Sequence, residues 1–297
     1  MSPSTNIPNM AECNLGFVNR DVSDLLLVPI PRDEKLNESA GSGSGRERRS
    51  TKEKASKEIS LAPYRNRFRV VSITPNIETK LKFIVPFSPS QPPKDSKFLH
   101  QCLENNERYT KWNPENWIQD IVRDKYKNKK MSEISDRDVI GTFGNYIKEK
   151  FRYNKERDVY QRVDDLLLSP KYDHPNQDCL GYHAALVGCA RSWGIPAVLD
   201  IGFRLSGQDD PHTWTWYYDR QKSEWVGVDL NDNKDHVVFG FYGRGRVSMT
   251  LGTTHIIQGV PDFPNSIVSF VQYGLGKNRI ENHPPFTSAR FSIIKTK

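Results

Sequence analysis

The sequence predicts an α+β fold, with helices in the first part of its globular region and an antiparallel run of strands after them. Three observations carry that expectation. Helix-capping signals and apolar stripes gather between residues 113 and 153. From Leu180 to Trp193 the chain is apolar almost all round, the pattern of a helix buried on most sides. Beyond it, segments rich in β-branched and aromatic residues recur as far as Tyr273.

The first 60 of the 297 residues predict a tail rather than a packed unit. Gly41-Ser-Gly-Ser-Gly45 has a flexible-linker composition, and a mixed-charge run from Arg46 to Glu58 follows it. Within the tail, Asp24 to Ile30 is the stretch apolar enough to dock elsewhere. Arg46-Glu-Arg-Arg49 suits a dibasic processing protease, so a pro-segment, an autoinhibitory piece and a docking tail are the roles open to residues 1–60. The net charge of +7 is concentrated here: from Gly45 to Arg69 nine Lys and Arg residues face Glu47, Glu53 and Glu58. A pI near 9.1 is therefore no sign that the body of the protein binds nucleic acid.

Residues 61–95 read as a short β segment and a connector. Arg67 to Ile73 and Thr79 to Val85 alternate in steps of two and are expected to pair, and Pro86, Pro89, Pro92 and Pro93 mark the connector. Residues 96–297 form the expected main domain. Asn113-Pro114 is a capping residue with proline at the first helical position, leading into the stripe Trp117, Ile118, Ile121, Val122. Ser135-Asp-Arg-Asp138 resembles a capping box, with Val139, Phe143, Tyr146 and Ile147 on one face of the helix behind it. Gly194, followed two residues later by Pro196, marks the end of the apolar helix. Strands are expected at 197–203, 212–218, 224–230, 237–241, 247–251 and 266–273.

Cys179 stands at the start of the apolar helix, where unpaired amides and the helix dipole favour a thiolate and could hold an oxyanion. Gly181 keeps its surroundings open to a substrate. Cys13, Cys102 and Cys189 are expected in the core, and four scattered cysteines without a C-x-x-C pair give neither a disulfide framework nor a cysteine zinc site. If His212 lies opposite Asp229 across the turn Asp219 to Ser223, Trp216 faces Trp225 and Trp214 faces Gly227. His212, Trp214, Trp216, Trp225 and Asp229 then share one face. Cysteine, histidine and carboxylate are a nucleophile, its base and the group that orients the base, and the tryptophans would wall off water or substrate.

These motifs resemble the transglutaminase-like superfamily of papain-fold thiol enzymes. Cys179-x-Gly-Tyr, Arg191, Gly194-Ile-Pro-Ala197, His212-x-Trp214, Trp225-x-x-x-Asp229 and the upstream Lys150-Phe-Arg-Tyr153 carry the likeness over roughly residues 110 to 275. The resemblance implies catalytic Cys179, His212 and Asp229, with the helix packed on an antiparallel sheet or barrel. Tyr153 is a further candidate to assist an oxyanion. The superfamily member that removes N-glycans usually carries paired C-x-x-C zinc ligands, which this chain lacks.

The expected chemistry is an acyl-enzyme reaction on amide bonds of a protein or peptide, with hydrolysis preferred. Transglutamination by an amine and a binding module on the same fold are the alternatives. No cofactor is expected. Asp229 to Asp235 alternates oxygen groups like a calcium loop but lacks the central glycine and reads as a polar turn, and His183 shares the face of Cys179 without an evident third metal ligand. No stretch reaches the ~18–20 apolar residues of a membrane span, and with no secretory signal at the start a cytoplasmic location is expected.

Overall fold

The computed structural model describes residues 10–18, 24–29, 32, 58–61, 64–73, 78–86, 89–106, 110–114, 118–154, 163–168, 174–204, 211–233, 235–240, 245–252, 267–268 and 286–294. The chain begins with β1 (Met10–Val18), β2 (Asp24–Pro29), β3 (Glu58–Leu61), β4 (Asn66–Ile73) and β5 (Glu78–Pro86). Then come α1 (Ser96–Gln101), α2 (Asp120–Lys125), α3 (Asp136–Lys150), β6 (Arg152–Tyr153), α4 (Val163–Leu168), β7 (Asn176–Gln177) and α5 (Cys179–Ser192). The rest is strand: β8 (Ala197–Arg204), β9 (Pro211–Asp219), β10 (Glu224–Asp229), β11 (Val238–Phe239), β12 (Arg246–Leu251), β13 (Ile267–Val268) and β14 (Phe286–Ile294). The α+β expectation is met, with α5 lying against an antiparallel sheet of order β11-β10-β9-β8-β12.

Helix α5 is the centre of the core. Leu186, Val187, Cys189 and Ala190 are fully buried on it, between α3 on one side and β8 and β9 on the other. Each large apolar side chain buried this way is worth about 1.5–3 kcal/mol. Gly194 ends the helix at φ +76°, the left-handed cap expected of it. Ser135 caps α3 by accepting the amide of Asp138, and Val139, Phe143 and Ile147 are buried below it. The stripe on α2 is also in place, since Ile118 and Val122 are fully buried. Its start differs from expectation, however. The helix begins at Asp120, and the amide of Asn113 donates to Asp164 Oδ1 (3.1 Å), so Asn113 is tied to α4 rather than leading into α2. Trp117 lies outside the described residues.

Two further expectations are corrected. Strands β4 and β5 form as read but do not pair with each other: β4 runs between β2 and β3, and β5 pairs with β1. Their neighbours come from the stretch read as an unpacked tail, in which Met10–Val18, Asp24–Pro29 and Glu58–Leu61 are strands. Linker composition within a stretch does not bar its flanks from pairing, and backbone ladders form with partners distant in sequence, here including β14. The linker at 41–45 and the basic run from Arg46 to Lys57 lie outside the described residues. The first strands also reach the main sheet. Asn66 donates to Leu251 O and accepts from Leu251 N, both at 2.8 Å, which locks β4 onto the end of β12.

Candidate active site

Asp178 accounts for the local form of the thiol. It is the N-cap of α5, and its carboxylate accepts the amide of Gly181 (3.0 Å), which places Cys179 at the first helical position. Cys179 is half-buried, whereas Cys102 and Cys189 are buried and burial pushes the Cys189 thiol up. All three are free thiols. The side chain of Cys13 lies outside the described ones.

Gly181 has a different role from the open approach expected of it. A Cβ at this position would stand 2.1 Å from Gln177 Oε1, so the glycine makes room for Gln177, itself buried under the first turn. Gly181→Ala therefore has to displace Gln177 and the turn that carries the thiol. Overpacking costs about 1–3 kcal/mol, more than alanine's gain of roughly 1 kcal/mol in helix propensity. We expect labelling of Cys179 by iodoacetamide to slow by about 10–100-fold, and a wild-type labelling rate would refute this account of the glycine.

His212 opens β9, near enough to Cys179 for the thiol to act on its titration, and its Nε2 lies 2.7 Å from Asp229 Oδ2. The three side chains read from the sequence thus meet. Their strand register is not the one expected: Tyr218 pairs with Trp225 and Trp216 with Gly227, a slide of two residues that leaves His212 diagonal to Asp229. Because side chains alternate, a two-residue slide keeps both on the same face, and the diagonal neighbour remains within reach. The turn sets the slide. Asp219 Oδ1 accepts the amides of Gln221 and Lys222, and Ser223 takes φ +56°, so the four-residue loop is 220–223.

Electrostatics bind the pair. Burial opposes a charged imidazole at His212, but the Asp229 carboxylate and then Cys179 outweigh it and lift the group to about 9. Burial likewise opposes ionisation of Asp229, yet the His212 imidazolium holds it well below the usual carboxylate range. Asp229 is fully buried and has further partners that sequence reasoning missed. Its Oδ1 accepts the amide of Asn231 (2.8 Å), and its Oδ2 also accepts Arg246 (2.8 Å). Arg246 stands one residue before the strand read from Val247, so its alternation with the strand was the available signal.

His183 is 3.5 Å from Asp229 Oδ1, and the ligating atoms of His183, His212 and Asp229 lie within 4.8 Å of one another. The third partner that the sequence did not reveal is therefore present. Burial lowers the His183 pKa, and the neutral ring donates from Nδ1 to Thr215 Oγ1 (3.0 Å) and accepts Leu230 N at Nε2 (3.3 Å). With that nitrogen used and Arg246 on the carboxylate, the trio does not suit a metal ion. The turn after Asp229 is equally ill suited to calcium. Arg246 and Arg204 face Asp232, Lys148 donates to Leu230 O, and Asn233 Oδ1 accepts the amides of Asp235 and His236.

The tryptophans do not wall a substrate. Trp214, Trp216 and Trp225 are buried with Tyr64, Phe98 and Leu251 in a separate cluster under the sheet. Trp216 Nε1 donates to Asp200 and Trp225 Nε1 to Pro93 O. Trp214 alone stays beside the site, its ring 6.4 Å from that of His212 and roughly parallel to it. Tyr153 is half exposed, 6.1 Å from the ring of Tyr182. Both tyrosines line a cavity of about 400 Å³ with Lys148, Arg204, Leu230, Asn231 and Asn233.

Residues 122–230 match the model of the transglutaminase-like superfamily, a span containing Cys179, His212 and Asp229. No curated protein matches the chain. Among solved structures, a candidate cysteine protease from Cytophaga hutchinsonii is similar at a TM-score of 0.51 and 12% identity, covering 85% of this chain and 83% of that one. The periplasmic domain of TgpA from Pseudomonas aeruginosa is similar at 0.39 and 13%, covering 76% and 90%. At such identity the first likeness is one of fold, and the second is too loose to argue from. Among the described residues no helix is long and apolar enough to cross a membrane. The family match and the α+β core built around α5 lead to one assignment: residues 122–230 of this chain belong to the transglutaminase-like superfamily.

Proposed function

We propose that the protein is a thiol hydrolase acting on amide bonds of a protein or peptide through an acyl-enzyme. The observation that carries this reading is the 2.7 Å contact of His212 with Asp229, beside a helix-start Cys179 that helps to raise the His212 pKa. Cys179 Sγ attacks the amide carbonyl, and the amide of Cys179 at the helix start is the donor on offer to the oxyanion. As the C–N bond breaks, His212 gives its proton to the leaving amine. Water then attacks the thioester and gives a proton to His212, and the C–S bond breaks to return the thiolate. Asp229 holds the imidazole in one orientation throughout.

Hydrolysis is preferred to transfer onto an amine. A closed amine channel walled by Trp214, Trp216 and Trp225 would favour transfer, and those rings are committed to the interior. The test offers a peptide library with and without a tagged primary amine to the wild type and to Cys179→Ala. We expect peptide cleavage that falls by about 10⁴-fold or more in the variant. Cysteine-dependent incorporation of the tag would move the reading to a transglutaminase. With neither product, even after cleavage at Arg49, the catalytic reading fails and a binding module on the inherited fold takes its place.

A further inference from the structure

Beyond Cys179, five charged or titratable groups follow one another through ion pairs, with carboxylates and cations alternating: His212, Asp229, Arg246, Asp232 and Arg204. His212 and Arg246 use the same Asp229 oxygen, at 2.7 and 2.8 Å. Arg246 is fully buried and also holds Asp232, whose other oxygen is 3.6 Å from Arg204. The Arg246 guanidinium lies 5.9 Å from the ring of Trp214, which in turn flanks His212. A buried guanidinium loses much hydration and is retained only where its geometry and partners compensate. Here one partner is the carboxylate that anchors the proposed base.

We propose that Arg246 is a positioning residue for the Cys179–His212–Asp229 constellation, drawing on part of the Asp229 charge so that His212 can release its proton. This rests on the thiol-enzyme reading. A buried carboxylate facing His212 alone would hold the imidazolium too firmly for it to serve as an acid. Arg246 on the same oxygen offsets that hold, and Asp232 moderates Arg246 in turn. The other charged or titratable groups around the cluster are Cys179 and His183 on α5, Lys148 on α3, Arg204 on β8 and Asp235 in the turn. Farther along β8, Asp200 is taken up by Trp216, Ser248 and Arg32. None of these shares the Asp229 oxygen that His212 uses, so Arg246 is the direct competitor.

The test titrates the His212 imidazole by NMR in the full chain, with its signal assigned by loss in His212→Gln. This readout needs no turnover, so it stands or fails separately from amide hydrolysis. Arg246→Met is expected to raise the His212 midpoint by about one pH unit, as removal of a nearby like charge does. Arg246→Lys keeps a positive charge and should stay near the wild-type midpoint. Asp232→Asn removes the moderating charge and should lower the midpoint, which covers the case in which Arg246→Met does not fold. A midpoint that stays put in Asp232→Asn, or that moves as far in Arg246→Lys as in Arg246→Met, would reduce Arg246 to a packing role and overturn the proposal.

Discussion

Asp229→Asn is expected to lower cysteine-dependent amide cleavage by about 10³–10⁴-fold, because the imidazole loses the group that fixes its tautomer. Shape is conserved in this change and charge is lost, so the effect is electrostatic. It also strips Arg246 of one of its two carboxylates in a fully buried place. Breaking one side of a buried pair costs about 3–5 kcal/mol, or roughly 10 °C in melting temperature for a chain of this size. The loss should depend on pH. Asp229 has a lowered folded pKa, so its contribution is present above about pH 4 and fades as pH falls through the folded value. His212 has a raised one, so its contribution is complete below about pH 6.5 and fades as pH rises through about 9. The gap in melting temperature between wild type and variant should therefore be widest in mildly acidic solution and narrow at both ends. A gap that stays constant from strong acid to strong base would show that the charge on Asp229 is not what the fold uses.

How far the sequence reaches is clearest at this pair. Side-chain parity along β9 and β10 was legible, because alternation is a property of the strand itself, and it put His212 and Asp229 on one face. Register was not, since it depends on the side chain of Asp219 folding back onto two amides of the turn. Ser135, Gly194 and the apolar length of α5 announce their elements through local rules. Arg246 shows only its alternation with the strand that follows it, which does not name its partner. Its contact with Asp229 joins strands that are not neighbours in the sheet, and no local pattern reports such a contact. The same limit explains β4 and β5, each legible as a strand while their partners come from the first 30 residues and from residues 58–61. The tryptophans show the reverse error, in which a shared face was taken for a shared site although the face is covered by Tyr64 and Phe98.

Arg191→Met should be the most damaging substitution outside the site. Arg191 is buried near the end of α5, and its guanidinium reaches four oxygens from separate parts of the chain. Nε donates to Ala197 O (2.9 Å), one terminal nitrogen to Glu104 O (3.0 Å) and Thr110 Oγ1 (3.2 Å), and the other to Tyr64 OH (3.2 Å). The helix that carries Cys179 is thereby tied to the start of β8, to the chain after α1 and to the aromatic cluster beneath the sheet. Methionine fills much of the volume but donates nothing, leaving the buried carbonyl of Ala197 and the half-buried one of Glu104 to find water or remain unpaired. At about 1–3 kcal/mol each, and with the hydrogen bonds to Thr110 and Tyr64 broken as well, the variant should melt about 10 °C below wild type. Lysine keeps the charge but cannot span four acceptors from one planar group, so Arg191→Lys should fall between the two. Thermal unfolding of the three proteins decides the matter. If Arg191→Met melts within about 2 °C of wild type, less than one such orphaned carbonyl would cost, then α5 holds its place through apolar packing alone. In that event the thiol owes its position to the Asp178 cap and to the residues buried around the helix.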